Sequence, residues 1–229
     1  MSELEAFESH DALASATADL IEGALLEGVM TRGWASFAGA GGSTPAPVYR
    51  ELSTRSLPWG KVGVTLVDDR FVDPASPESN QRLFSETLLT GEARKAAFTP
   101  MWSDVETPDA AAEAVEADVE ALMPFDAVLL GMGEDGHFAS LFPGNPALTI
   151  GLAEDADATV IGAPAGSPAP PQPRITLTFS AILKSKVIVL LITGEAKRAV
   201  LERGRTDASL PIYALLNQSR TPTRILWAA

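Results

Sequence analysis

The sequence predicts an α/β fold, a mostly parallel sheet with helices on both faces. Three observations predict it. Short apolar runs at residues 62–67, 126–130 and 186–192 read as strands buried on both sides. Segments of helical spacing alternate with such runs from Trp34 onward. Turns rich in glycine or charge follow the strands, at the edge where open α/β sheets bind ligands.

The elements follow in order. Residues 9–31 read as a helix, with Leu13, Ala16, Leu20, Ala24 and Leu25 at helical spacing. Residues 34–38 are short and apolar, as a first buried strand should be. The turn Gly39-Ala40-Gly41-Gly42-Ser43-Thr44-Pro45 leads into a helix over residues 45–53. Pro45 suits its first turn, where a missing N–H costs nothing. The second strand, 62–67, ends in the charged turn Asp68-Asp69-Arg70. Residues 80–89 are helical, and 109–122 form an alanine-rich helix with acids on one side. After the strand at 126–130 and its glycine turn, a helix is expected to begin at 138–142. Residues 163–173 are rich in Pro, Gly, Ser and Ala and read as a loop. Residues 174–178 alternate as a strand does. A buried strand at 186–192, a helix opening at 193–198, a short helix at 211–216 and a strand at 223–227 complete the chain. There is no internal repeat and no linker long enough to divide the chain. A single Rossmann-like α/β domain over residues 1–229 is therefore expected.

Composition narrows the function. A hydrophobic fraction of 46% supports a substantial core. The absence of cysteine excludes disulfides, thiolate metal sites and a cysteine nucleophile. It also suits a cytoplasmic protein. No apolar run approaches the roughly 18–20 residues that cross a bilayer. The acidic start MSELEAFESHD lacks the pattern of a signal peptide. A net charge of −13 argues against nucleic acid and anionic lipid as partners. An anionic small substrate would need cations gathered at one site.

Four places carry chemistry. In the turn after the first strand, glycines let backbone N–H groups approach an anion, and Ser43 and Thr44 add hydroxyl donors at a helix N-terminus. The plainer reading is a turn capped by Ser43 or Thr44. Asp68-Asp69-Arg70 is either a solvated turn or, at a strand's carboxyl end, part of a site in which Arg70 pairs an anion. Gly131-Met132-Gly133-Glu134-Asp135-Gly136 matches a dinucleotide loop, with Glu154 and Asp155 near the spacing of a ribose acid. Two acids inside that loop oppose a pyrophosphate. His137, one of two histidines in the chain, would be left without a role. Its plain reading is a capping or core residue. Its functional reading is a general base oriented by Asp135 or by an acid of the Asp68-Asp69 turn. Arg174 and Lys197 are further anion-binding candidates, and Lys197 lies in the first turn of a helix, where a cation opposes the dipole.

Together these motifs resemble the 6-phosphogluconolactonase family. The resemblance rests on Gly41-Gly42-Ser43-Thr44-Pro45, on Asp68-Asp69-Arg70 with Ser79-Asn80, and on the Gly131-to-Gly144 segment. It also rests on Arg174-Ile175-Thr176-Leu177-Thr178 and on Gly194-Glu195-Ala196-Lys197, all in family order. Where that family has Asp-Glu-Arg and Val-Pro, this chain has Asp68-Asp69-Arg70 and Val72-Asp73. The related glucosamine-6-phosphate deaminases carry a Glu five residues after the His, where this chain has Phe142.

The resemblance implies a fold shared with those deaminases. It implies hydrolysis of 6-phospho-D-glucono-1,5-lactone to 6-phosphogluconate in the pentose phosphate pathway, without metal or cofactor. His137 would be the base, with Asp68, Asp135 and Arg70 beside it. The phosphate would lie on Gly41, Gly42, Ser43, Thr44, Arg174 and Lys197. The expected partner is a small phosphorylated sugar lactone, and the protein a monomer or small homo-oligomer. Two alternatives stand beside this one. The first is a deaminase or isomerase of the same fold. The second is a sugar-phosphate sensor, which would normally carry a basic DNA-binding domain.

Overall fold

The computed structural model describes residues 3–166 and 169–229. In chain order the elements are β1 (Leu4–Phe7), α1 (His10–Arg32), β2 (Ala35–Gly39), α2 (Ala46–Thr54), β3 (Val62–Leu66) and β4 (Asp68–Arg70). Then come α3 (Asn80–Thr87), β5 (Ala97–Thr99), α4 (Pro108–Glu120), β6 (Ala127–Leu130), α5 (Leu148–Gly151), β7 (Val160–Ala163) and β8 (Arg174–Leu177). The last are α6 (Phe179–Leu183), β9 (Ile188–Thr193), α7 (Glu195–Gly204), α8 (Ile212–Asn217) and β10 (Thr223–Ala228).

Seven strands form a parallel sheet in the order β1-β10-β9-β6-β2-β3-β5. The predicted mostly parallel α/β fold is observed. Its central strands are buried throughout, which is why they read as unbroken apolar runs. The chain runs outward from β2 through β3 to β5, then returns to β6 on the other side of β2. The order therefore reverses between β2 and β6, and a crevice opens beyond their carboxyl ends.

Helix α1 packs on this sheet through Leu13, Ala14, Ala18, Ile21 and Leu25. Burying each of its larger side chains stabilises by about 1.5–3 kcal/mol. Ser9 caps its start by accepting from the Ala12 N–H at 3.1 Å, and Gly33, at φ 84°, ends it in the left-handed conformation.

Two expectations are corrected. Asp68-Asp69-Arg70 is a strand, not a turn. It pairs antiparallel with β8, which pairs antiparallel with β7, in a second, three-stranded sheet. The helix expected from residue 138 does not form. Ala139 takes a left-handed φ of 48°, and the Ser140 N–H donates to Thr176 Oγ1 at 3.1 Å instead of to a helical carbonyl. Pro143 and Pro146 then deny the helix further donors. The next helix, α5, begins only at Leu148. The loop expected at 163–173 lies between β7 and β8, and its Ser167 and Pro168 are outside the described residues.

Candidate active site

Two turns at the carboxyl ends of β2 and β6 build the crevice. In the first, Gly42 has φ 106°, a conformation that favours glycine. The Ala40 N–H donates to Leu129 O at 2.9 Å, and the buried Tyr49 hydroxyl donates to Ala40 O at 2.5 Å. These bonds fix the start of the turn to the sheet and to α2. Pro45, the N-cap of α2, makes no side-chain cap bond, so Ser43 and Thr44 are not consumed as caps. Burial, followed by the field of Asp68, pushes the Tyr49 phenol well above its ordinary pKa.

The second turn presents His137. Asp135 Oδ1 accepts from the His137 backbone N–H at 3.2 Å and faces its Nδ1 at 2.5 Å. The Gly133 N–H donates to His137 O at 2.9 Å, and the Gly136 N–H to Gly133 O at 3.0 Å. A Cβ at Gly133 would lie 2.3 Å from the imidazole, so only glycine leaves room for the His–Asp pair. The Phe142 ring packs on His137 with centroids 4.2 Å apart. No helix opens after this turn, so the dinucleotide reading lacks the N-terminus it requires. Burial raises the Asp135 pKa, but the hydrogen bond and charge of His137 outweigh it, and the carboxyl sits below its ordinary value.

The small sheet supplies the rest. Asp68 Oδ2 accepts from Ser140 Oγ at 2.5 Å. Asp69 is fully buried and faces away from the cleft. Its carboxylate accepts from Arg70 N at 2.7 Å, Asn80 N at 2.7 Å, Gln81 N at 3.0 Å and Ser79 Oγ at 3.1 Å. It therefore anchors β4 to the start of α3. Burial pushes its pKa up to about 6, against the pull of the backbone donors. Arg70 and Arg174 face each other directly across the β4–β8 pair. Like charges so placed repel. Arg70 Nη1 donates to Glu78 O at 2.9 Å and Asn80 Oδ1 at 2.8 Å. The Arg174 guanidinium lies 5.6 Å from the Phe142 ring centre, and its buried Nε has no partner among the described residues. Burial lowers the Arg174 pKa, an effect that the field of Asp68 opposes.

A cleft of about 340 Å³ results. It brings together Gly41, Gly42, Ser43, Thr44, Asp68, Arg70, His137, Arg174 and Lys197, all singled out from sequence. Asp135 stands behind His137 rather than on the wall. Asn80, Ala139 and Phe142 also line the cleft and were not singled out as site residues. Asn80 follows a helix-capping Ser79, and that local signal hides any second role. Among the described residues, Arg70, Arg174 and Lys197 form no ion pair with a carboxylate. Among the described residues, no cluster of three or more His, Cys, Asp or Glu could hold a metal, and no helix is long and apolar enough to cross a membrane.

Comparison with known proteins identifies the family. The family model of glucosamine-6-phosphate isomerases/6-phosphogluconolactonase matches residues 8–227. A 6-phosphogluconolactonase of Caulobacter vibrioides is 49% identical over 98% of this chain and 97% of its own length. One from Rhizobium meliloti is 42% identical over 97% of each chain. The crystal structure of a 6-phosphogluconolactonase from Shewanella baltica superposes with a TM-score of 0.95 at 36% identity, covering 100% of this chain and 98% of that one. A monomeric glucosamine-6-phosphate deaminase, at 21% identity and a TM-score of 0.78, shares the fold. Over nearly its full length, the chain belongs to the glucosamine-6-phosphate isomerase/6-phosphogluconolactonase family.

Proposed function

We propose that this protein hydrolyses 6-phospho-D-glucono-1,5-lactone to 6-phospho-D-gluconate, with His137 as the general base, in the cytoplasmic pentose phosphate pathway. A single α/β domain over residues 1–229 carries the reaction. The observation that supports it most is the His137–Asp135 pair. Nδ1 is engaged by Asp135 at 2.5 Å, while Nε2 has no protein hydrogen bond among the described residues of the cleft. An imidazole held in this way keeps Nε2 free to accept a proton. The lowered pKa of Asp135 keeps its carboxylate ionised, which favours the Nδ1–H tautomer.

The lactone carbonyl is already electrophilic, so water can attack it directly. His137 Nε2 takes the water proton as the new C1–O bond forms. The C1–ring oxygen bond then breaks, and the same proton goes to the departing ring oxygen. Arg70 and N–H groups of the glycine turn stabilise the charge that develops on the carbonyl oxygen. The phosphate lies on Gly41, Gly42, Ser43 and Thr44, between Arg174 and Lys197, which holds the lactone in register. Asp68, steadied by Ser140, accepts from sugar hydroxyls. Phe142 against His137 supports the lactonase over the deaminase, because no carboxylate stands there.

The test measures lactone hydrolysis beside ammonia release from glucosamine 6-phosphate. Fast hydrolysis without ammonia is expected; the reverse would transfer the protein to the deaminase branch. A protein that binds 6-phosphogluconate and turns over neither substrate would be a sensor.

A further inference from the structure

We propose that Asn80 is a positioning residue that holds Arg70 in the cleft while leaving its positive charge uncompensated. Asn80 is 3% exposed and lines the cleft. Its carboxamide has one possible orientation. Oδ1 accepts from Arg70 Nη1 at 2.8 Å, and Nδ2 donates to the Asp68 carbonyl at 2.8 Å. Its backbone N–H is tied to Asp69 at 2.7 Å. The third side of the carboxamide meets the first turn: a Cβ at Gly41 would lie 1.8 Å from Oδ1. Asn80 thus joins β4, α3 and the glycine turn at one point.

The neutrality of this contact matters. Both acceptors of Arg70 Nη1, Asn80 Oδ1 and Glu78 O, are uncharged. They fix the guanidinium without forming an ion pair, so its field stays available to an anion. A carboxylate at the same place would pair with Arg70. It would also remove the donor to the Asp68 carbonyl.

The assay rests on the lactonase reading, so a second probe stands beside it. N80D, R70A and the double variant are compared with the wild type for kcat/KM on the lactone and for inorganic phosphate affinity by calorimetry. N80D is expected to lower kcat/KM at least about tenfold in the wild-type background and to change it less than about twofold on R70A. Phosphate affinity should follow the same pattern by a smaller factor, since Arg70, directly opposite Arg174 across the β4–β8 pair, reaches the phosphate through its field alone. Should N80D fail to fold, N80S replaces it in the same cycle. A loss of equal size with and without Arg70, or no loss in either readout, overturns the proposal. A wild type inactive on the lactone overturns the functional reading alone, since the phosphate cycle still tests Asn80.

Discussion

Two arginine environments lie at opposite ends of the parallel sheet, and they follow opposite rules. Near the amino ends of β2 and β6, Arg32 Nη2 reaches both oxygens of the buried Asp126, at 2.5 and 2.7 Å. The Ser36 N–H donates to the same carboxylate at 2.8 Å. Gly28 makes the room, because a Cβ there would lie 2.7 Å from Asp126. Beyond the carboxyl ends, Arg70 rests on neutral acceptors and Arg174 against an aromatic ring. A chain with 30 acids and 17 lysines and arginines does not lack carboxylates to pair them. A charge matched inside the fold supports the fold, and a charge left unmatched serves a visitor.

Variants at the two ends should therefore separate stability from turnover. The largest effect is expected from H137A: kcat falls by about 10²–10⁴, while thermal unfolding and phosphogluconate binding persist. Loss of binding together with turnover would remove His137 from the chemistry. R32A strands a buried carboxylate and should cost roughly 2–4 kcal/mol in denaturant unfolding, discounted for the partly exposed guanidinium. Its kcat/KM should stay within about twofold of wild type. R174A should do the converse. KM rises about 10–100-fold, as expected for a charged hydrogen bond worth about 1.5–3 kcal/mol. Stability should hold or rise, since a like-charge opposition is relieved. An R174A protein that unfolds as readily as R32A would collapse the contrast.

The smallest effect is a slope. With Asp69 at about 6 in the fold against an ordinary value of 3.8, the folded chain keeps a proton that the unfolded chain has released. Stability should thus fall as pH rises from about 4 to about 6, with a contribution that D69N flattens. An unchanged slope in D69N would assign it to another group.

Most of the parallel sheet was legible, because double burial forces unbroken apolar runs at β3, β6 and β9. Of the second sheet only β8 was, and β4 and β7 were not. β4 is three charged residues, and nothing local marks them as a strand. Its reason is tertiary: Asp69 is satisfied by α3, and Arg70 by Asn80 and Glu78. The missing helix after His137 has the same origin. Phe138-Ala139-Ser140-Leu141 suits a helix locally, but Ser140 is held by Thr176 and Asp68, both remote in sequence. Gly41 to Thr44 and His137 lie in glycine turns whose composition names them. Asn80 belongs to a motif that the sequence offers, but its contact with Arg70 is one that no local spacing encodes.

The antiparallel register of β4 and β8 also sets what the loop before Arg174 can tolerate. Arg70 and Arg174 share a face because they sit directly across from one another. Slipping β8 by one residue would turn Arg174 out of the cleft and bring its neighbour in. Lengthening the connecting loop costs little and leaves the pairing alone, provided Pro164 O keeps its bond from Asn145 Nδ2 and Pro173 O its bond from the Phe71 N–H. Insertions and deletions can therefore accumulate between Ala163 and Arg174, whereas a single residue gained or lost inside β8 would disarm the site.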